Sequence, residues 1–183
     1  MDAFAQALAV EEQNPLAALP LYKPLAESGN TAAHINMGTI FYNVKNYTEA
    51  EAHYRAALAI DPQYALAYFD LARLLDDLGQ PTNAEAMYLR AIQLAPTYAD
   101  AHYNLAVLYT SQRCQILALK HWRAYLKLDP RGARGDYAKI SVSRIVQATR
   151  LLIVRRNEKP KRTTRRAKLE LLLSGRSNAK RKQ

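Results

Sequence analysis

The strings YRAALAIDP (54–62), YLRAIQLAP (88–96) and WRAYLKLDP (122–130) repeat one pattern at intervals of 34 residues. Three blocks, 31–64, 65–98 and 99–132, align on it without a gap. A unit this small cannot bury its own apolar face, so the copies must stack on one another. Within each block apolar residues recur at three- and four-residue intervals over two stretches of about a dozen residues, which predicts two amphipathic helices. The break between them, VKNY in the first block and DLGQP in the second, carries turn residues such as Gly79 and Pro81. Position 3 of each block is alanine: Ala33, Ala67 and Ala101. Small residues at position 8 (Gly38, Ala72, Ala106) and position 20 (Ala50, Ala84, Ala118) let the two helices approach closely. The large aromatic at position 24 (Tyr54, Tyr88, Trp122) fills the groove beside them. A proline at position 32 (Pro62, Pro96, Pro130) follows and stops the second helix.

This succession of small, aromatic, small and proline residues, three times in register over 31–132, resembles the tetratricopeptide repeat. The resemblance implies an all-α fold, a right-handed superhelix of stacked helix-turn-helix repeats whose first helices line a concave face. Three positions depart from the family pattern. Position 4 is His34, Tyr68 and His102 where a large aromatic is usual. The glycine usual at position 15 survives only as Gly79, with Lys45 and Arg113 in its place elsewhere. Position 27 is Ala57 and Ala91 but Tyr125 in the third block, which predicts a looser or shifted third hairpin.

The flanks are read from weaker signals. Residues 1–30 are expected to form a degenerate hairpin, with Ala18, Tyr22 and Leu25 at offsets like positions 20, 24 and 27. Pro20 and Pro24 predict that its second helix is kinked or short. After the glycine-marked RGARGD, Asp136 is the expected cap of a helix running to about Val154. Residues 133–154 are therefore read as a capping helix that shields the last repeat from water. Residues 155–183, with 12 basic and 2 acidic residues, are read as a basic, disordered tail. Within it, 165–173 has the marks of a short helix between Thr164 and Ser174-Gly175.

The net charge of +10 is unevenly spread. Residues 1–130 hold 9 Lys/Arg against 13 Asp/Glu, a net of −4, whereas 131–183 hold 17 against 3, a net of +14. This split suggests a folded module with an interaction tail. Cys114 is the sole cysteine, so no intramolecular disulfide forms. The N-terminus lacks the basic start and apolar run of a signal peptide, and the longest apolar string, 151–154, is too short to span a bilayer. A cytoplasmic protein is expected.

Catalytic motifs are missing: no phosphate-cradling glycine loop, HExxH, GxSxG or CxxC occurs. His34 and His102 share one register, His53 and His121 another, each pair 68 residues apart. At about 10 Å per repeat, such partners lie about 20 Å apart and cannot share a metal ion. They are read as semi-buried structural residues. Asp76-Asp77 and Glu11-Glu12 point to solvated helix faces. Cys114 beside Arg113 reads as an ordinary loop thiol. The chain is thus expected to be no enzyme and to need no cofactor or metal.

Binding is better supported. The family resemblance implies that positions 2, 5, 6, 9 and 12 of each block face a groove. They include Ile35, Phe69 and Tyr103; Asn36, Asp70 and Asn104; Thr39, Arg73 and Val107; Tyr42 and Asp76; and Asp100. An asparagine amide both donates and accepts, as a peptide bond does, so Asn36 and Asn104 are candidate rungs for an extended peptide. Ile35, Phe69 and Tyr103 are the expected apolar contacts. No lysine stands where related carboxylate-clamping proteins need one, so Asp70, Asp76 and Asp100 favour a neutral or basic peptide. The expected function is a non-catalytic protein–protein interaction scaffold that binds a peptide segment of a partner. The alternative rests on the tail. Arg155, Arg156, Lys159, Lys161, Arg162, Arg165, Arg166, Lys168, Lys180, Arg181 and Lys182 form a candidate contact for nucleic acid or another polyanion. The tail has no aromatic residue to stack on bases. The tail reads equally as a plain solubilising terminus, and an anionic membrane surface, through Leu169 and Leu171–Leu173, is the weaker reading.

Overall fold

A computed structural model describes residues 2–158, with side chains to residue 151. Nine α-helices and no strand occur among the described residues: α1 (Ala3–Gln13), α2 (Pro15–Glu27), α3 (Thr31–Asn43), α4 (Tyr47–Ile60), α5 (Ala65–Asp77), α6 (Pro81–Leu94), α7 (Ala99–Ser111), α8 (Gln115–Leu128) and α9 (Gly132–Glu158). The chain divides into two compact units, one of residues 1–142 and one that begins at Ser143. In the first unit α1 to α8 each pack on their neighbours in sequence, and α3, α5 and α7 also touch in series. This is an all-α solenoid of helix-turn-helix repeats.

The helix ends follow from local chemistry. Asn14, Asn30 and Asn46 precede α2, α3 and α4, and each side-chain oxygen accepts a bond from a first-turn amide (Ala17, Ala33, Glu49). Pro15 and Pro81 open α2 and α6, where an amide hydrogen would go unused. The turns after α2, α3, α5 and α7 share one geometry. A residue of positive φ (Gly29, Lys45, Gly79, Arg113) is followed by an amide that reaches back five residues: Asn30 to Leu25, Asn46 to Phe41, Gln80 to Leu75 and Cys114 to Tyr109, at 2.8–3.0 Å. Lys45 (φ 62°) and Arg113 (φ 60°) thus take the left-handed turn without glycine's freedom. The prolines of position 32 stand two residues beyond α4, α6 and α8.

The core is a repeated contact of small against large. Ala33, Ala67, Ala101, Ala50, Ala84 and Ala118 are fully buried, beside Tyr54, Tyr88 and Trp122. Gly38 lies so close to the Tyr54 ring that a Cβ would stand 2.6 Å from Cε1. Ala7, Ala18, Tyr22 and Ala26 continue this pattern into α1 and α2, and Phe4 packs 5.7 Å from the Tyr22 ring.

Three expectations need correction. Pro20 and Pro24 do not shorten α2, which keeps 13 residues. Both prolines are exposed, so the carbonyls they leave unbonded can reach water. Tyr125 does not loosen the third hairpin: α7 and α8 match the other blocks in length. Its ring is fully buried 5.1 Å from Tyr103, and its hydroxyl turns out to Asp129. Finally, Asp136 is no N-cap, because α9 begins at Gly132. Gly132 has φ 69° and Gly135 sits where a Cβ would meet the Pro130 carbonyl at 2.4 Å, so this pair of glycines sets the turn into the helix. Inside the first unit, Tyr137 and Ala138 of α9 lie over the third block, with the Tyr137 ring 5.6 Å from Trp122.

Candidate functional site

Position 24 puts a large aromatic in the core, and a buried hydroxyl or indole N–H needs a partner. Each finds one on a first helix. Asn36 Nδ2 donates to Tyr22 Oη at 2.9 Å, across the joint between α2 and α3. Asn104 and Tyr88 hold the matching places at the next-but-one joint and line one pocket. Thr39 Oγ1 lies 3.4 Å from Tyr54 Oη, and Trp122 Nε1 donates to Thr110 at 3.2 Å. The asparagines of position 6 are therefore neither free rungs nor merely solvated. Asn36 commits one N–H to the tyrosine of the hairpin before it and keeps its carbonyl and second N–H, and Asn104 stands near the corresponding tyrosine.

The neighbouring helices α3, α5 and α7 bring part of the expected groove together. Tyr42, Arg73, Asp76, Asn104 and Val107 line one pocket of about 170 Å3, joined by Asp77 and Tyr88. Arg73 is its central cation. The guanidinium lies 4.8 Å from the centre of the Tyr42 ring and 5.8 Å from that of Phe69, and pairs with Asp70 at 3.4 Å. The Tyr42 hydroxyl donates to Asp77, tying the first block to the second. Burial, then Asp77, pushes the Tyr42 hydroxyl up to about 12. Burial also raises the Asp70 carboxyl to about 6, against the pull of Arg73. Asp76 is raised by burial and then by Asp77. Among the described residues, no lysine or arginine stands within 4.0 Å of Asp76 or Asp77. The pocket is thus polar, carries both signs of charge and has an acidic excess.

The other expected residues are placed differently. Ile35 is 3% and Phe69 7% exposed. Phe69 is packed 4.8 Å from Tyr98 and 6.0 Å from Tyr88, so both belong to the core between hairpins and offer little surface. Tyr103 is half-buried among Trp122, Tyr125 and Tyr137, under the Arg134 guanidinium at 4.9 Å. Asp100 pairs with Arg134. Arg155 and Arg156 fall in the last turns of α9. The other tail residues, from Lys159 to Lys182, and the possible helix at 165–173 lie outside the described residues.

The histidines pair across a hairpin, not between blocks. His34 and His53 bring their Nδ1 atoms to 3.0 Å, and His102 and His121 do the same. Each pair is 19 residues apart, joining position 4 of one helix to position 23 of the next. The signal was present in the sequence, since the middle block has Tyr68 and Met87 at the same two positions. Equivalent positions along the array show only the 68-residue spacing, whereas the contact joins unlike positions across the helix–helix seam. Among the described residues no three His, Cys, Asp or Glu side chains are grouped to hold a metal ion. None of the described helices is long and apolar enough to cross a membrane.

The family model described as tetratricopeptide repeat matches residues 30–97, and a second of the same description matches 87–120. No curated protein matches the chain. Among solved structures, MamA is similar with a TM-score of 0.66 and 22% identity, over 76% of this chain and 81% of that one. YrrB, described as a TPR protein with an unusual peptide-binding site, has a TM-score of 0.64 at 21% identity, over 78% and 73%. The first TPR of Spaghetti (RPAP3), bound to the HSP90 peptide SRMEEVD, has a TM-score of 0.59 at 20% identity, over 65% and 92%. Family matches, repeat register and helical stacking agree: this chain is a tetratricopeptide repeat protein.

Proposed function

We propose that the chain is a non-catalytic, cytoplasmic scaffold whose concave face, formed by α3, α5 and α7, binds an extended peptide segment of a partner protein. The observation that carries this reading is the convergence of Tyr42, Arg73, Asp76, Asn104 and Val107 on one pocket from three successive blocks. The unused carbonyls of Asn36 and Asn104 can accept from a peptide backbone, and Val107 adds an exposed apolar contact. Two similar proteins carry descriptions that name peptide binding, which supports the class of ligand. The ligand here differs in charge from SRMEEVD. Arg73 is already held by Asp70, while Asp76 and Asp77 have no counter-ion among the described residues, so a neutral or basic segment is favoured.

The test uses exposed or half-exposed positions, because Phe69 and Ile35 hold the core. Full-length protein is screened against arrays of basic, neutral and acidic seven-residue peptides, and the best binder is titrated against Asp76→Lys and Val107→Asp. At least a tenfold loss of affinity is expected for each, with helicity unchanged. Equal binding by both variants, or preference for acidic peptides, overturns the reading.

A further inference from the structure

The two histidine pairs obey a proton rule that the rest of the fold does not share. His102 Nε2 lies 3.2 Å from the Pro96 carbonyl, which can only accept, so Nε2 carries the proton. In a neutral ring Nδ1 is then bare and accepts. Across the 3.0 Å contact, His121 must supply the proton from its own Nδ1. The first block repeats the histidine contact, His34 meeting His53 through Nδ1, and the Ala26 backbone near His34 raises it against burial. In the third block the Pro96 carbonyl holds the position-4 ring, and in both blocks that ring meets the second helix through Nδ1. A further proton on the acceptor ring turns the contact into two N–H groups facing each other. The middle block carries Tyr68 and Met87 at these two positions, so it has no imidazole pair to protonate.

We propose that these pairs are acid-operated latches, closed at neutral pH, whose protonation loosens the first and third blocks and spares the second. The proposal does not depend on what the groove binds. The surroundings give the two latches different strengths. His102 and His121 are 8% and 4% exposed, face Tyr109 of α7 and Lys120 of α8, and lie near Glu85 of α6 through the Tyr109 hydroxyl. Burial, then His102, then Lys120 bring His121 down to about 4. His34 and His53 border an open pocket of about 250 Å3 with Lys23 and Glu27 of α2, and Glu49 of α4 raises His53 against burial and His34. Burial lowers His34 and His102 as well. A histidine depressed in the folded state stabilises the fold above its unfolded value of 6.5, and that stability drains away as pH falls from there towards 4. Asp70, raised to about 6 from 3.8, acts in the opposite sense over the same range, so the wild-type curve alone mixes both effects.

The test therefore compares the full chain with variants that borrow the middle block's residues, His102→Tyr with His121→Met and His34→Tyr with His53→Met. Urea unfolding is followed from pH 7.5 to 4.5. Between these limits the wild type is expected to lose roughly 100-fold more of its folded-to-unfolded ratio than the third-block variant, with a smaller difference for the first-block variant. Parallel pH curves for wild type and variants overturn the proposal. Should a variant fail to fold, nitrogen-15 NMR on the wild-type chain decides. A proton on His121 Nδ1 and His102 Nε2 with titration well below 6.5 sustains the latch, and the reverse tautomers or ordinary titration refute it.

Discussion

Gly38 sits where the second and third blocks have Ala72 and Ala106, and the substitution Gly38→Ala measures how tightly the first hairpin is closed. A Cβ built there stands 2.6 and 2.7 Å from Tyr54 Cε1 and Cδ1, a separation that real carbon atoms do not tolerate. Either the ring or the helix must move. Tyr54 is 1% exposed and its hydroxyl is placed against Thr39, so the ring has nowhere to go without breaking that contact. Overpacking of this kind costs about 1–3 kcal/mol. Against it stands the gain of about 1 kcal/mol from replacing glycine with alanine inside a helix. The expected result is a net loss of about 1 kcal/mol, read as a lower urea midpoint at unchanged slope. Replacing Tyr54 by Leu should remove the clash, so the same Gly38→Ala change should then stabilise. If Gly38→Ala stabilises by the full helix-propensity gain in the wild-type background, the ring yields freely and the argument from close approach fails.

Phe69→Ala should cost about 3 kcal/mol in the same assay, because the ring fills the joint between α5 and Tyr98; a loss of binding in this variant would report unfolding, not recognition. Arg113→Gly and Lys45→Gly should each raise stability by up to about 1 kcal/mol, since both residues hold a positive φ; a loss would show that their side chains matter more than the turn. Asp70→Asn should alter the pH profile in a definite direction. The carboxyl is raised to about 6 when folded against 3.8 unfolded, so relative to the variant the wild type should gain stability as pH falls from about 6 to 4. Cys114 is exposed in the turn before α8 and should react with a thiol reagent in the native protein, one equivalent per chain, without added denaturant.

The parts of the fold visible in the sequence are those that the period itself enforces. A contact between position 8 or 20 and position 24 must recur in every block, so three copies of Ala or Gly facing Tyr or Trp reveal it. Contacts between unlike positions leave a fainter trace. The histidine pairs join position 4 to position 23, and Tyr68 with Met87 hides the correspondence in the middle block. The partners of Asn36 and Asn104 belong to the preceding hairpin, and for Asn36 that hairpin lies outside the three aligned blocks. Burial of Ile35 and Phe69 was not legible either. An apolar residue on the presumed ligand side of a helix has the same spacing whether it meets a peptide or the next hairpin. The tolerance of α2 for Pro20 and Pro24 depends on which side of the helix is wet, and 3.6-residue periodicity broken by two prolines does not show it.

The bond from Asn36 to Tyr22, and the same two residue types at Asn104 and Tyr88, bear on how the array can change length. Each seam is written half in one block and half in the next. Excising residues 65–98 would set Tyr54 opposite Asn104, a tyrosine–asparagine seam of the kind already present twice. Duplicating the same segment would set Tyr88 opposite Asp70, the residue type that faces the Tyr54 hairpin now, with Arg73 arriving in the same segment to neutralise the acid. The middle block is a cassette: an array of this kind can lengthen or shorten by one unit while its seams keep residue types already used at this position.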